Sequence, residues 1–347
     1  MRRAAVTMAT LALVLVAGPA WACGGLVAPN GAVQLVRTTT LSAYHDGVEH
    51  YVTSFEFSKA KGEFGSIVPL PGVPSNIAKA GKWTLQRLQQ EVQPVQRVAF
   101  AAAAGEALDA VTVIEEKQVG ALDLTVLKGG GSAVARWAED NGFGLTPDAP
   151  EVLDFYANRS PVFMAVKFDA TRAARQGLDI GDGTPVHLTI PTDDPWVPLR
   201  ILSLGADRSD VIEADVFLLT ERKPAMLPST LSRVGTTSQD GGLILRRSEP
   251  ASRFLLADLR SDRGMKWLPK SGMWLSYLQL NERARNLSYD LALDVSGRGE
   301  PSPVDAGLAA PAAAPEANLT PLWITAGLLG GLALVALVER RRSPRAV

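Results

Sequence analysis

Residues 320–338, Thr-Pro-Leu-Trp-Ile-Thr-Ala-Gly-Leu-Leu-Gly-Gly-Leu-Ala-Leu-Val-Ala-Leu-Val, carry no charge, and Glu339-Arg-Arg-Arg342 ends the run abruptly. At about 1.5 Å per residue a helix of this length reaches roughly the thickness of a bilayer's hydrocarbon core. A helix also satisfies every backbone polar group inside lipid. The expectation is one transmembrane helix over 320–338. Basic flanking residues resist translocation, so the arginines assign the tail, 339–347, to the cytoplasm, and Trp323 falls where an interfacial aromatic anchors the outer end. The bulk of the chain is then expected outside the cytoplasm.

The beginning of the chain agrees. Met1-Arg-Arg3 is a basic start, Ala9 to Ala17 is a short apolar stretch, and Ala20-Trp-Ala22 is a small-x-small cleavage pattern. Together they read as a signal peptide over 1–22; the apolar stretch is shorter than a spanning helix requires. Cleavage would leave Cys23 first. A lipid-modified cysteine normally follows a leucine and then a small residue, whereas Ala20 and Trp21 stand at those positions, so a plain terminal thiol is the preferred reading. Cys23 is the only cysteine, which excludes an intramolecular disulfide and a cysteine-based metal cluster.

The 35 basic and 36 acidic residues nearly cancel, for a formal net charge of −1. A nucleic-acid binder shows a basic excess and basic runs; neither is present, and that class is set aside. From Gly299 to Leu319 the composition collapses to proline, alanine and glycine, as in Ala309-Ala-Pro-Ala-Ala-Ala-Pro315. Such a segment is extended and semi-rigid, and reads as a stalk over 299–319. The remaining span, 23–298, is long enough for one large domain or two of ordinary size.

Within that span the strand signals dominate. Alternation from Gly31 to Arg37, the β-branched Thr38-Thr-Thr40 and the run Val52 to Phe57 flank Asp46-Gly47. An Asp-Gly pair between two such runs predicts a type I′ hairpin, since both central residues need positive φ. That turn sets His45 opposite Val48 and Ala43 opposite His50, with both imidazoles on one face. Gly65 to Gly72 is a strand interrupted by Pro69 and Pro71, expected at a sheet edge or leaving the sheet at Pro69. Further strands are expected at Val111–Ile114, Leu122–Leu127, Val162–Phe168, Leu199–Leu204, Val211–Thr220 and Leu287–Val295, and Trp267 and Met273–Leu280 are read as aromatic anchors. Helices are expected at Lys82–Val92, with Leu85, Leu88 and Val92 on one stripe, at Ser132–Asp140, stopped by Asn141-Gly142, and after Thr146-Pro147. A strand, a glycine turn and a strand running into proline occur around Phe55–Pro69 and again around Val166–Pro191, a pattern that two similar halves would leave and that two ordinary hairpins would leave as readily.

Few residues nominate chemistry. His45 and His50 resemble half a metal site, two imidazoles on neighbouring strands, but nothing in the sequence names a third ligand: Asp46 and Glu49 are read as polar turn residues, His187 is the only other histidine, and two solvent-facing hairpin histidines are the preferred reading. Asp193-Asp194, between Pro191 and Pro195, is read as a solvated turn, because adjacent side chains diverge. Gly129-Gly-Gly131 has no following Gly-Lys-Ser/Thr and is read as a turn, without a phosphate site. Leu227-Pro-Ser-Thr-Leu231 lacks the glycine of a sortase signal. No catalytic, cofactor-binding or metal-ligating residues are assigned, and no cofactor is expected.

The signal ending in Cys23-Gly-Gly25, the hairpin from Val33 to Phe57, Ile67-Val-Pro-Leu-Pro71, Trp137 before Asn141-Gly142, Val162 to Phe168, and Trp274-Leu-Ser-Tyr-Leu with Leu291-Ala-Leu-Asp together resemble bacterial domain-of-unknown-function family 2330. These are packing and turn residues. The resemblance implies an exported bacterial protein of unassigned activity and offers no catalytic residues. The fold expected from the residues is α+β, a mostly antiparallel β domain with a few helices plus one C-terminal transmembrane helix. The leading functional expectation is a single-pass membrane protein of the cell envelope that binds a protein or glycan without catalysis. The alternative is an envelope hydrolase whose site is assembled from dispersed carboxylates or histidines.

Overall fold

Two long strands joined by Asp46 and Gly47 begin the architecture: β2 (Gln34–His45) and β3 (Val48–Ser58), preceded by the two-residue β1 (Leu26–Val27). Asp46 has φ 49° and Gly47 φ 76°, the paired positive values of a type I′ turn. The register is the expected one, His45 opposite Val48 and Ala43 opposite His50. The computed structural model describes residues 26–27, 34–58, 64–92, 112–177, 184–229, 242–297 and 299–311.

The other elements follow in chain order as β4 (Phe64–Pro69), β5 (Asn76–Lys79), α1 (Trp83–Val92), β6 (Thr112–Val119), β7 (Leu122–Lys128), α2 (Gly131–Asp140), α3 (Ala149–Ala157) and β8 (Val162–Phe168). Then come α4 (Ala170–Arg175), β9 (Val186–Pro191), β10 (Trp196–Val197), β11 (Val211–Thr220), β12 (Ala225–Leu227), β13 (Gly242–Pro250), α5 (Arg253–Ser261), β14 (Trp274–Arg283) and β15 (Leu291–Asp294). The protein is mixed α+β and rich in strand, in antiparallel sheets. A seven-stranded sheet runs β13-β14-β11-β2-β3-β9-β5, a five-stranded one β1-β4-β8-β7-β6, and a three-stranded one β10-β15-β12. One pair is parallel: β11 lies along β2 with Leu219 beside Ala43.

Side chains alternate across the seven-stranded sheet. One face presents Leu41, Ala43, Val52, Phe217, Leu219 and Leu275 to Leu85 and Leu88 of α1 and Leu255, Leu256 and Leu259 of α5. These helices are joined by Arg87 to Asp258 at 2.8 Å, and Asp262 accepts from the Thr84 amide and hydroxyl, both at 2.7 Å. The opposite face, with Tyr51, Leu188, Ile190, Val216 and Leu218, shares a larger core with β4, β7, β8 and the α2–α3 pair. At roughly 25 cal/mol per Å² of apolar area removed from water, these two cores supply most of the drive to fold.

Several expectations hold residue for residue. β8 spans Val162–Phe168 at the centre of its sheet, and β11 spans Val211–Thr220. α2 buries Val134, Trp137 and Ala138 and ends on Asn141. β4 lies between β1 and β8, and leaves the sheet after Pro69. Others are corrected. Leu199–Leu204 is no strand: Arg200–Ser203 forms a 3₁₀ turn. Its amides are taken by tertiary acceptors, those of Leu199 and Arg200 by Asp290 at 2.6 and 2.9 Å and that of Ile201 by Tyr156 Oη at 2.8 Å. The α3 helix starts at Ala149, after a turn in which the Ala149 amide donates to the Thr146 carbonyl. The last strand, β15, covers only Leu291–Asp294.

The last of the three consecutive glycines is a packing requirement. Gly131 lies inside the first turn of α2, and a Cβ there would overlap the Asp154 amide nitrogen and carboxylate and the Leu153 carbonyl carbon on α3. Glycine lets the two helices approach that closely.

The proline-rich segment begins differently from an extended stalk. Its first part folds back, with Ala306 fully buried, its carbonyl accepting from the Asp290 amide at 3.0 Å, and Arg159 donating to the Val304 and Asp305 carbonyls. The compact unit runs to Ala309. Among the described residues no helix is long and apolar enough to cross a membrane. The signal-peptide and transmembrane expectations, over 1–22 and 320–338, lie outside the described residues.

Candidate functional site

All three histidines of the chain meet on the helix-covered face of the seven-stranded sheet, near the β2–β3 turn. The turn brings His45 and His50 to that face, as the sequence implied. Two pairings between strands distant in sequence add the rest. β3 pairs with β9 with Val52 opposite His187, which sets His187 diagonally beside His50, and His50 Nδ1 lies 3.0 Å from His187 Nε2. The parallel β2–β11 register carries Glu221, two residues past Leu219, alongside His45, and His45 Nδ1 lies 2.6 Å from Glu221 Oε1.

The two halves differ in environment. His50 stacks on Trp267, ring centroids 3.5 Å apart and 4° from parallel, and the Gly264 backbone closes over His187 Nδ1. Burial pushes the His50 imidazole down to about 3, with His187 and His45 adding to the effect, and burial takes His187 down to about 4. Both are therefore neutral at pH 7, and one ring donates to the other. His45 is more open. Its Nε2 stands 3.3 Å from Asp46 Oδ2, and the Asp46 amide donates to Glu221 Oε1 at 3.2 Å. That amide, with His45, holds the Glu221 carboxyl below its usual value. One donor atom each from His45, Asp46 and Glu221 lies within 4.8 Å of the others.

The remaining ionisable groups of the interior are tied to one another. Asp290 is fully buried and accepts from Arg159, from Tyr156 Oη at 2.8 Å, and from the Leu199 and Arg200 amides. Arg159 also lies over the Phe155 ring, 3.9 Å from its centroid. Asp215 accepts from Arg37 Nε and Nη2 at 2.6 and 2.7 Å and from Tyr277 Oη at 2.7 Å. These carboxylates clamp distant segments together, each through several donors, while Arg159 Nε stays buried without a partner among the described residues.

Glu49 is different. It sits on the other face of β3 with no exposure, its Oε1 accepting from Ser42 Oγ at 2.5 Å, and its Oε2 has no partner among the described residues. Burial pushes its carboxyl up to about 8, against the lowering effect of Ser42. Sequence reasoning took Glu49 for a polar turn residue; its alternation with Tyr51 and Thr53 was the signal that it points inward. On the same face a cavity of about 20 Å³ is lined by Thr38, Thr40, Tyr51, Thr53, Ser66 and Val216 among others. That is room for a water molecule. Asp193 and Asp194 lie in an exposed turn as expected, the Asp194 amide on Thr192 Oγ1 at 3.3 Å.

Among solved structures the chain is similar to baculovirus P35, with TM-score 0.40 at 10% identity, over 76% of this chain and 97% of that one. It is also similar to a mutated baculovirus P35 after caspase cleavage, with TM-score 0.36 at 9% identity, over 74% and 99%. No curated protein matches. The family model described as "Uncharacterized protein conserved in bacteria (DUF2330)" matches residues 17–226, from the end of the export-signal pattern through the hairpin, the five-stranded sheet and β11, and the chain belongs to that family.

Proposed function

We propose that this is a single-pass membrane protein of the bacterial cell envelope whose folded unit, outside the cytoplasm, works as a non-enzymatic binding module for a protein or glycan. The topology rests on the two apolar segments of unequal length and on Arg340–Arg342 after the second. The observation that carries the binding reading is that two buried carboxylates, Asp290 and Asp215, are fully engaged by donors of the fold itself. The Asp290 and Asp215 carboxylates are each held by several donors, and groups so held brace a scaffold instead of exchanging protons with a substrate. The rival reading, an envelope hydrolase, has Glu49 in its favour, since a carboxyl raised to about 8 has the affinity of a general acid. Its side chain is sealed between the sheets, which is why the binding reading is preferred.

The experiment has two arms. Alkaline phosphatase fused after Pro311 is expected to be active and green fluorescent protein at the same point dark; the reverse pattern overturns the topology. Photocrosslinking in intact cells from the exposed residues Asp46 and Lys223 is expected to trap the same neighbours repeatedly. Random capture no different from a free reporter would refute the binding module.

A further inference from the structure

We propose that His45, Asp46 and Glu221 form a binding site for a divalent transition-metal ion at the tip of the β2–β3 hairpin. The proposal is independent of the envelope reading. Three features of the structure support it together.

The donors are of the right kind and number. One imidazole and two carboxylates make a mixed nitrogen and oxygen set, with two negative charges to balance a divalent cation, and three protein ligands leave positions for water. Their atoms already lie within 4.8 Å of one another. The ligating nitrogen is His45 Nδ1, with Glu221 Oε1 already beside it at 2.6 Å, and the two would part to the spacing of roughly 3.4 Å that ligands about 2.1 Å from a tetrahedral ion keep; Asp46 Oδ2, now 3.3 Å from the other ring nitrogen, turns on its exposed side chain to complete the set.

The backbone holds them in place. Asp46 is fixed by the type I′ turn at φ 49°, and Glu221 by the β2–β11 register and the Asp46 amide. Little chain entropy is left to lose on binding, which is the main obstacle for a surface site. The ion would replace the proton shared between His45 Nδ1 and Glu221 Oε1, now 2.6 Å apart, and that contact would open slightly. Asp46 is 84% exposed and Glu221 46%, so both have room to turn.

The neighbouring histidines are better employed as a support. His50 and His187 are joined to each other at 3.0 Å and capped by Trp267, and among the described residues no third donor of the ligating types stands close enough to make a group with them. This resolves the question left by the sequence, where His45 and His50 were the paired candidates: the ligands that complete His45 are the turn aspartate and a glutamate 176 positions further along the chain.

Zinc titrated calorimetrically into the full chain, purified in detergent without a histidine tag, tests this. One equivalent per chain is expected. His45→Ala and Glu221→Gln should each weaken binding by at least about tenfold, while His50→Gln should leave it within about threefold. Zinc should also raise the unfolding temperature of the unaltered protein and not that of Glu221→Gln, whose metal-free unfolding curve serves as the check on folding. No saturable binding in the unaltered protein, or binding that survives Glu221→Gln, overturns the site. So does binding lost in His50→Gln and retained in His45→Ala, which would move the ion to the His50–His187 pair.

Discussion

Replacing Glu49 by glutamine should stabilise the protein at neutral and alkaline pH and do nothing in acid. The Glu49 carboxyl is raised from its ordinary 4.5 to about 8 by burial. A group whose folded-state pKa lies above its unfolded value contributes stability that is complete below pH 4.5 and is lost as pH rises through 8, because the unfolded chain releases the proton first. Each pH unit between those values removes about 1.4 kcal/mol, so the loss reaches about 3 kcal/mol at pH 7 and about 4 kcal/mol at pH 8. Glutamine has nearly the same shape, keeps an acceptor for Ser42 Oγ, and carries no charge at any pH. The assay is chemical unfolding of both proteins from pH 4 to pH 9. The two curves should coincide near pH 4 and separate steadily, with the variant the more stable by about 4 kcal/mol at pH 8. A constant difference between them across the range, or a variant less stable at pH 8, would refute the claim that an uncompensated carboxylate is buried between the sheets.

The opposite sign applies to the histidines: His50 and His187 have folded-state values depressed to about 3 and about 4, so stability should fall as pH drops below 6.5. Unfolding followed from pH 7 to pH 4 checks this, with His187→Gln expected to flatten the decline. Asp290→Asn should cost about 3–5 kcal/mol, because it leaves the Arg159 guanidinium buried without its counter-charge; a loss under 1 kcal/mol in denaturant unfolding would contradict that role. Gly131→Ala should destabilise by about 1–3 kcal/mol through its overlap with α3, and Gly130→Ala, where a Cβ meets nothing within 4 Å, should be much milder. Thermal unfolding of the pair distinguishes close packing from general glycine flexibility.

Local chemistry made much of the scaffold legible. Asp46-Gly47 dictated the turn and, through it, the register of two strands and the common face of His45 and His50. The apolar stripe of α1, the stop at Asn141-Gly142 and the bounds of β8 and β11 were also readable, because each depends on residues within one turn or strand of one another. The stretch Leu199–Leu204 was not, since its strand-like pattern was overridden by Asp290 and Tyr156, which capture its amides from outside the segment. Glu49 was misread because its polarity suggested solvent, whereas the pleat of β3 turns it inward beside Ser42.

By itself the sequence determined several of the elements and one hairpin register, and from its two apolar segments an envelope topology is proposed. Only the tertiary structure decided which side chains meet. His187 reaches His50 because β9 pairs with β3, and Glu221 reaches His45 because β11 runs parallel to β2. Those pairings are fixed by the burial of whole sheet faces over more than a hundred intervening residues, a cooperative outcome that no short pattern encodes.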